Sequence, residues 1–154
     1  MHDSKSVPIL VVEDSPEDFE VLERAFKKSG FDIPLQRCKD GQDALDLLYK
    51  EGAYENLPKH AKPSLILLDL NMPGLDGHAL LESLKDDDAN GLSKIPIVVL
   101  STSSSDNDIN QSYQRGANSY IQKPDDMKGY VEMVSDIKDY WFSRCSLPTC
   151  WVSA

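Results

Sequence analysis

Five short apolar runs, separated by longer segments with helical spacing, leave this chain very few architectures. They are VPILVV at 7–12, Ile33–Cys38, SLILLD at 64–69, IVVL at 97–100 and Ser119–Gln122. The first, third and fourth are apolar almost throughout instead of alternating. A strand of that kind is buried on both faces, as in a parallel sheet. Parallel strands need long crossovers, and the segments between the runs supply helices. Ser15 and Pro16 read as an N-cap and first helical residue, with Asp18 where the acid of a capping box sits. Phe19, Leu22 and Phe26 then make one stripe, and Gly30 closes the helix. Asp40 caps a second helix bearing Ala44, Leu45 and Leu48, closed by Gly52. Asp76–Gly77 open a third with Leu80, Leu81 and Leu84. Ile109 and Tyr113 mark a thin, polar fourth helix that ends at Gly116. The fifth runs from Asp125 to about Cys145, with Tyr130, Val134, Ile137 and Trp141 on one face. Met133, Tyr140 and Phe142 fall off that face. The apolar surface they would expose suits a homodimer interface on the last helix.

Strand and helix thus alternate five times. This predicts an α/β, flavodoxin-like (βα)5 fold with a five-stranded parallel sheet in the order 2-1-3-4-5 and helices on both faces. One domain over 7–145 accounts for the pattern. Residues 146–154 form a short C-terminal tail, too short for an effector domain. No apolar run approaches the roughly 20 residues of a membrane span, and the start does not read as a signal peptide. A cytoplasmic protein with no membrane partner is expected. The net charge of −10 would repel nucleic acid phosphates, so no nucleic acid partner is expected. The three cysteines, Cys38, Cys145 and Cys150, match no metal spacing and read as reduced thiols. His2, His60 and His78 are scattered and read as surface residues.

In an open α/β sheet, ligands gather beyond the carboxyl ends of the strands. There the chain places Glu13 and Asp14, then Asp69, then Ser101 and Thr102, then Lys123 followed by Pro124. Three carboxylates held together repel one another. A hard divalent cation such as Mg²⁺ relieves that repulsion and bridges carboxylates to phosphate. Lys123 offers a compact positive charge to a phosphate oxygen, and Ser101 a hydroxyl donor. Such a pocket stabilises the charge of a transferring phosphoryl group, with Asp69 placed as the nucleophile that becomes an acyl phosphate.

VVEDS at 11–15, LLDLNMPGLDG at 67–77, VVLST at 98–102 and YIQKP at 120–124 resemble, in order and spacing, the motifs of bacterial response-regulator receiver domains. The resemblance covers about residues 7 to 143. It implies that Asp69 is the phosphoacceptor, fed by a sensor histidine kinase in a two-component phosphorelay. It implies Asp14 as a direct Mg²⁺ ligand, Glu13 as a ligand mainly through water, and Asn71 as a ligand by its backbone carbonyl. Lys123 would contact the phosphoryl group, and its bond to Pro124 would be cis. Ser101 would be the switch hydroxyl and Tyr120 the switch aromatic, turning inward when Ser101 meets the phosphate. LYKEGAYENLP at 48–58 and IKDYWFSRCSLP at 137–148 are similar to the cyanobacterial phytochrome-associated regulators. Those are dimeric single-domain receivers paired with red-light-sensing kinases. The tail TCWVSA resembles nothing familiar.

A phosphorelay intermediate is an alternative output. A small-molecule phosphatase with an aspartate nucleophile would need an acid two residues after Asp69, where Asn71 stands. The chain therefore reads as a phosphoacceptor that catalyses only its own phosphorylation and dephosphorylation, not as an enzyme. A nucleotide or flavin binder would need a Gly-rich loop where Asp14–Ser15–Pro16 stands.

Overall fold

A computed structural model of the chain describes residues 9–56, 62–70 and 77–148. Strands β1 (Ile9–Val12), β2 (Leu35–Cys38), β3 (Leu65–Asp69), β4 (Ile97–Ser101) and β5 (Ser119–Gln122) alternate with helices α1 (Pro16–Ser29), α2 (Gly41–Tyr49), α3 (Gly77–Lys85), α4 (Asp106–Gln114) and α5 (Met127–Ile137). The strands form one parallel sheet in the order β2-β1-β3-β4-β5. The expected flavodoxin-like architecture is the one observed.

Successive strand residues point to opposite faces, and each face has its own apolar layer. Leu10, Val12, Ile66, Leu68, Ile97 and Val99 pack with Ala44 and Leu48 of α2 and Leu80, Leu81 and Leu84 of α3. Ile9, Val11, Leu65, Leu67, Val98 and Leu100 pack with Leu22 and Phe26 of α1 and Val134 and Ile137 of α5. This double burial explains the unbroken apolar runs. Because all five strands run the same way, their carboxyl ends line one edge, and the charged residues sit there. No helix among the described residues is long and apolar enough to cross a membrane.

Several element ends differ from the sequence reading. Strand β2 starts at Leu35 instead of Ile33, since Pro34 has no N–H for the ladder. Helix α2 ends earlier than Gly52: Lys50 takes the left-handed cap (φ 58°), and its N–H reaches the Asp46 and Leu47 carbonyls. Asp126, one residue later than expected, caps α5 by accepting the Gly129 N–H at 2.8 Å. After Ile137 the helix changes to π geometry over Lys138–Arg144, closed by Cys145 N–H to the Tyr140 carbonyl at 2.7 Å. That wider turn swings Phe142 onto Phe31, with ring centroids 5.1 Å apart and an edge-on contact. Met133 is buried against the α1 side of the sheet. The apolar surface expected from Met133, Tyr140 and Phe142 therefore reduces to Tyr140, which is 57% exposed. Val7, Pro8, Asn71, Asp76, His2, His60, Cys150 and the tail from 149 lie outside the described residues. Cys38 and Cys145 are free thiols, the first buried.

Candidate functional site

Strand register brings the site together. Val12 of β1 lies beside Leu68 of β3, so Glu13 follows directly next to Asp69. Asp69 in turn lies beside Leu100, and Ser101 beside Gln122, so Ser101 and Lys123 occupy the next positions along the edge. The Lys123 N–H bonds the Ser101 carbonyl at 2.7 Å, and the Glu13 N–H bonds the Cys38 carbonyl at 2.9 Å. Each functional side chain thus leaves the sheet from a backbone position that the ladder holds.

One oxygen from each of Glu13, Asp14 and Asp69 lies within 4.8 Å of the others. Glu13 and Asp69 are buried, at 6% and 4% exposure, while Asp14 is half-buried. The Lys123 ammonium is also buried. Its Nζ lies 3.0 Å from Glu13 Oε1, 3.3 Å from Asp69 Oδ2 and 3.7 Å from Asp18 Oδ2. Burial works against the charge on Lys123, but the Asp69 and Glu13 carboxylates outweigh it and hold the ammonium above its ordinary range. One cation does not neutralise three acids. Burial first, then the hydrogen bond and negative charge of Asp69, push Glu13 up to about 8 against the pull of Lys123. A group of hard oxygen donors, close together and short of positive charge, fits a hard divalent cation. Glu13, Asp14 and Asp69 are the residues that could hold one.

Ser101 is buried at the end of β4, and its Oγ accepts the Ser103 N–H at 3.1 Å. Tyr120 is half-buried on β5, and its hydroxyl donates to the Ser103 carbonyl at 2.8 Å. Ser103 Oγ donates to Asp108 in the first turn of α4 at 2.5 Å. Ser103 therefore touches Ser101, Tyr120 and α4 at once. Asn71 lies outside the described residues, so its carbonyl is not placed. The Lys123–Pro124 bond is trans, against the cis form that the resemblance implied. Trans is the preferred isomer by about 0.5–1 kcal/mol, and with it the Lys123 backbone and ammonium already reach Ser101, Glu13 and Asp69.

Two residues of the site escaped the sequence reading. Asp18 does not reach back to the Ser15 N–H as a capping-box acid; that N–H meets Glu13 Oε2 at 3.4 Å, and Asp18 faces Lys123 instead. Arg37 of β2 donates to the carbonyls of Glu13 and Asp14 at 3.0 and 2.9 Å. The one signal for it was an arginine in the strand beside β1.

Residues 9–135 match the response regulator receiver domain family. Response regulator Rcp1 of Synechocystis sp. is 38% identical over 150 residues, covering 96% of this chain and 99% of Rcp1. The crystal structure of phosphorylated RcpA, a cyanobacterial phytochrome response regulator, superposes with a TM-score of 0.82 at 37% identity, covering 92% of this chain and 98% of that one. The Mn²⁺-bound form of Rcp1 gives 0.80 at 38% identity, over 92% and 99% of the two chains. RPA3017, a response regulator in red light signaling of R. palustris, gives 0.86 at 31% identity, over 93% and 99%. On this evidence the chain belongs to the response regulator receiver domain family.

Proposed function

We propose that this chain is a receiver that accepts a phosphoryl group on Asp69, with Mg²⁺, from the phosphohistidine of a phytochrome-type sensor kinase. The observation that carries the reading is Asp69, buried at a strand end, with Lys123 3.3 Å away and two further carboxylates alongside. An Asp69 oxygen attacks phosphorus, the P–N bond breaks with its electron pair left on the imidazole, and an acyl phosphate results. Lys123 contacts a phosphoryl oxygen and Ser101 donates its hydroxyl to another. Glu13, Asp14 and Asp69, with the Asn71 carbonyl, would hold Mg²⁺, which when bound offsets the negative charge gathering on the phosphoryl oxygens. The phosphoryl group and Ser101 then bias Tyr120 and the face around α4 and β5 toward a partner. The similarity of Rcp1 and RcpA over nearly their whole length supports the pairing with a light-sensing kinase and a domain spanning 7–145 with a short tail.

In this reading the chain promotes only its own phosphorylation and dephosphorylation, works in the cytoplasm, and binds neither membrane nor nucleic acid. A homodimer through the last helix and the π segment after it, where Tyr140 is exposed, accompanies it. Sedimentation as a monomer at micromolar concentration, phosphorylated or not, would remove that part. The central test is labelling by radioactive acetyl phosphate or a phospho-kinase with Mg²⁺. Wild type takes up hydroxylamine-sensitive label and Asp69→Asn takes up none. Full labelling of Asp69→Asn would overturn the assignment.

A further inference from the structure

Two of the three acids, Glu13 and Asp14, sit on a loop, and a loop leaves side-chain direction to whatever fixes its backbone. The Glu13 N–H is fixed by the Cys38 carbonyl at 2.9 Å. The next two carbonyls, of Glu13 and Asp14, lie just past the end of β1. Arg37 takes both, with Nε 3.0 Å from the Glu13 carbonyl and Nη2 2.9 Å from that of Asp14. These carbonyls belong to the two planar peptide groups on either side of the Asp14 Cα. Holding both planes fixes φ and ψ of Asp14, and with them the direction in which its carboxylate leaves the chain. A guanidinium can do this because its donors form a rigid, planar fork. The fork is itself supported: Arg37 lies in β2, in register with Val11, and the next residue, Cys38, is buried in the core.

We propose that Arg37 is a positioning residue for the cation site: by gripping the Glu13 and Asp14 carbonyls it aims the Asp14 carboxylate at Glu13 and Asp69. The inference rests on the reading that these acids hold Mg²⁺. It also makes a choice that electrostatics alone would not. A positive charge beside an acidic cluster weakens the binding of a second cation, so an arginine acting only by charge lowers Mg²⁺ affinity. An arginine acting by position raises it. Partners one step removed from a metal support its affinity by about 10–100-fold.

The test is Mg²⁺ titration of the full chain by calorimetry, for wild type, Arg37→Lys, Arg37→Met, Asp14→Asn and Lys39→Met. Lysine keeps the charge but lacks the rigid, planar fork that fixes two carbonyls; methionine keeps the length and loses both. Lys39 is exposed on the same edge and serves as the charge control. Both Arg37 variants should bind Mg²⁺ about 10-fold more weakly, and Lys39→Met should stay within about twofold. Labelling by acetyl phosphate should need correspondingly more Mg²⁺ for half-saturation, yet recover the wild-type rate at saturating Mg²⁺. Far-UV circular dichroism confirms that each variant is folded. Wild-type affinity in either Arg37 variant, or tighter binding in Arg37→Met, overturns the assignment. If Mg²⁺ binds wild type and is lost in Asp14→Asn while the Arg37 variants bind normally, the metal reading stands and only the arginine's role falls. If wild type binds no Mg²⁺, both fall.

Discussion

Raising the pH of the metal-free protein should destabilise it through one residue, Glu13. Its carboxyl has an ordinary value of 4.5 and is pushed up to about 8 in the fold. Below pH 4.5 the folded and unfolded chains both hold the proton, and the group leaves stability untouched. Between 4.5 and 8 the unfolded chain releases the proton and the folded chain keeps it. The folded state then binds more protons, so stability falls as pH rises, by about 1.4 kcal/mol per unit for one proton. Above 8 both states are ionised and the loss levels off. From pH 5.5 to 7.5 the loss comes to about 2–3 kcal/mol, a large share of an ordinary domain's stability. The assay is urea unfolding with EDTA, followed by circular dichroism, on wild type and Glu13→Gln. Glutamine keeps the shape and cannot titrate. Every other ionisable group is common to both proteins, so the difference between the two isolates Glu13. That difference should grow by about 2–3 kcal/mol across the window, with Glu13→Gln the more stable at pH 7.5. A difference constant to within about 0.5 kcal/mol would refute the reasoning, since it would mean that burial and Asp69 do not hold the proton on Glu13.

Lys123→Met removes a cation that touches both buried carboxylates; it should destabilise the metal-free protein by about 3 kcal/mol in urea unfolding and abolish labelling by acetyl phosphate. Gly77→Ala would bring a Cβ within 3.2 Å of the Leu70 Cα and 3.3 Å of the Asp69 carbonyl, both backbone. Its cost should be about 1–3 kcal/mol by thermal unfolding, with slower labelling because the crowded carbonyl is that of Asp69, the proposed acceptor. Tyr120→Phe loses the bond to the Ser103 carbonyl at 2.8 Å. It should cost about 1 kcal/mol in urea and leave the labelling rate at saturating Mg²⁺ within twofold of wild type.

What could be read in the sequence follows from which interactions are local. Strands β3 and β4 announce themselves because both faces of LILL and IVVL are buried, whatever covers them. Helix α1 is equally legible, since the Ser15 cap, Pro16 and the left-handed Gly30 act within a turn of the helix ends. Once the strand order is known, Glu13, Asp14, Asp69, Ser101 and Lys123 must share an edge, and they do. The misses depend on contacts between distant segments. Arg37 bonds backbone carbonyls, and a carbonyl looks the same in every residue. Asp18 and Lys123 meet across the fold, and nothing in PEDF tells a cap from an ion pair. The π geometry after Ile137 is set where Phe142 meets Phe31. The isomer of the Lys123–Pro124 bond turns on about 0.5–1 kcal/mol, less than neighbouring contacts contribute.

The same separation explains how the fold tolerates its own site. Ionising Glu13 in its buried place takes stability from the fold, and at pH above 8 that cost reaches about 5 kcal/mol. Each fully buried leucine of β3 contributes about 1.5–3 kcal/mol by leaving water, and Leu65, Leu67 and Leu68 are all at 0% exposure. Two or three residues of one strand therefore offset the cost of Glu13. The strain is also confined. The sheet ladder, the Cys38 carbonyl and the Arg37 fork hold the backbone beneath the acids, so repulsion among them cannot be relieved by moving the chain. It can be relieved only by a proton, by Lys123, or by a cation drawn to the same oxygens. A site built this way is poised to bind positive charge because its scaffold does not yield.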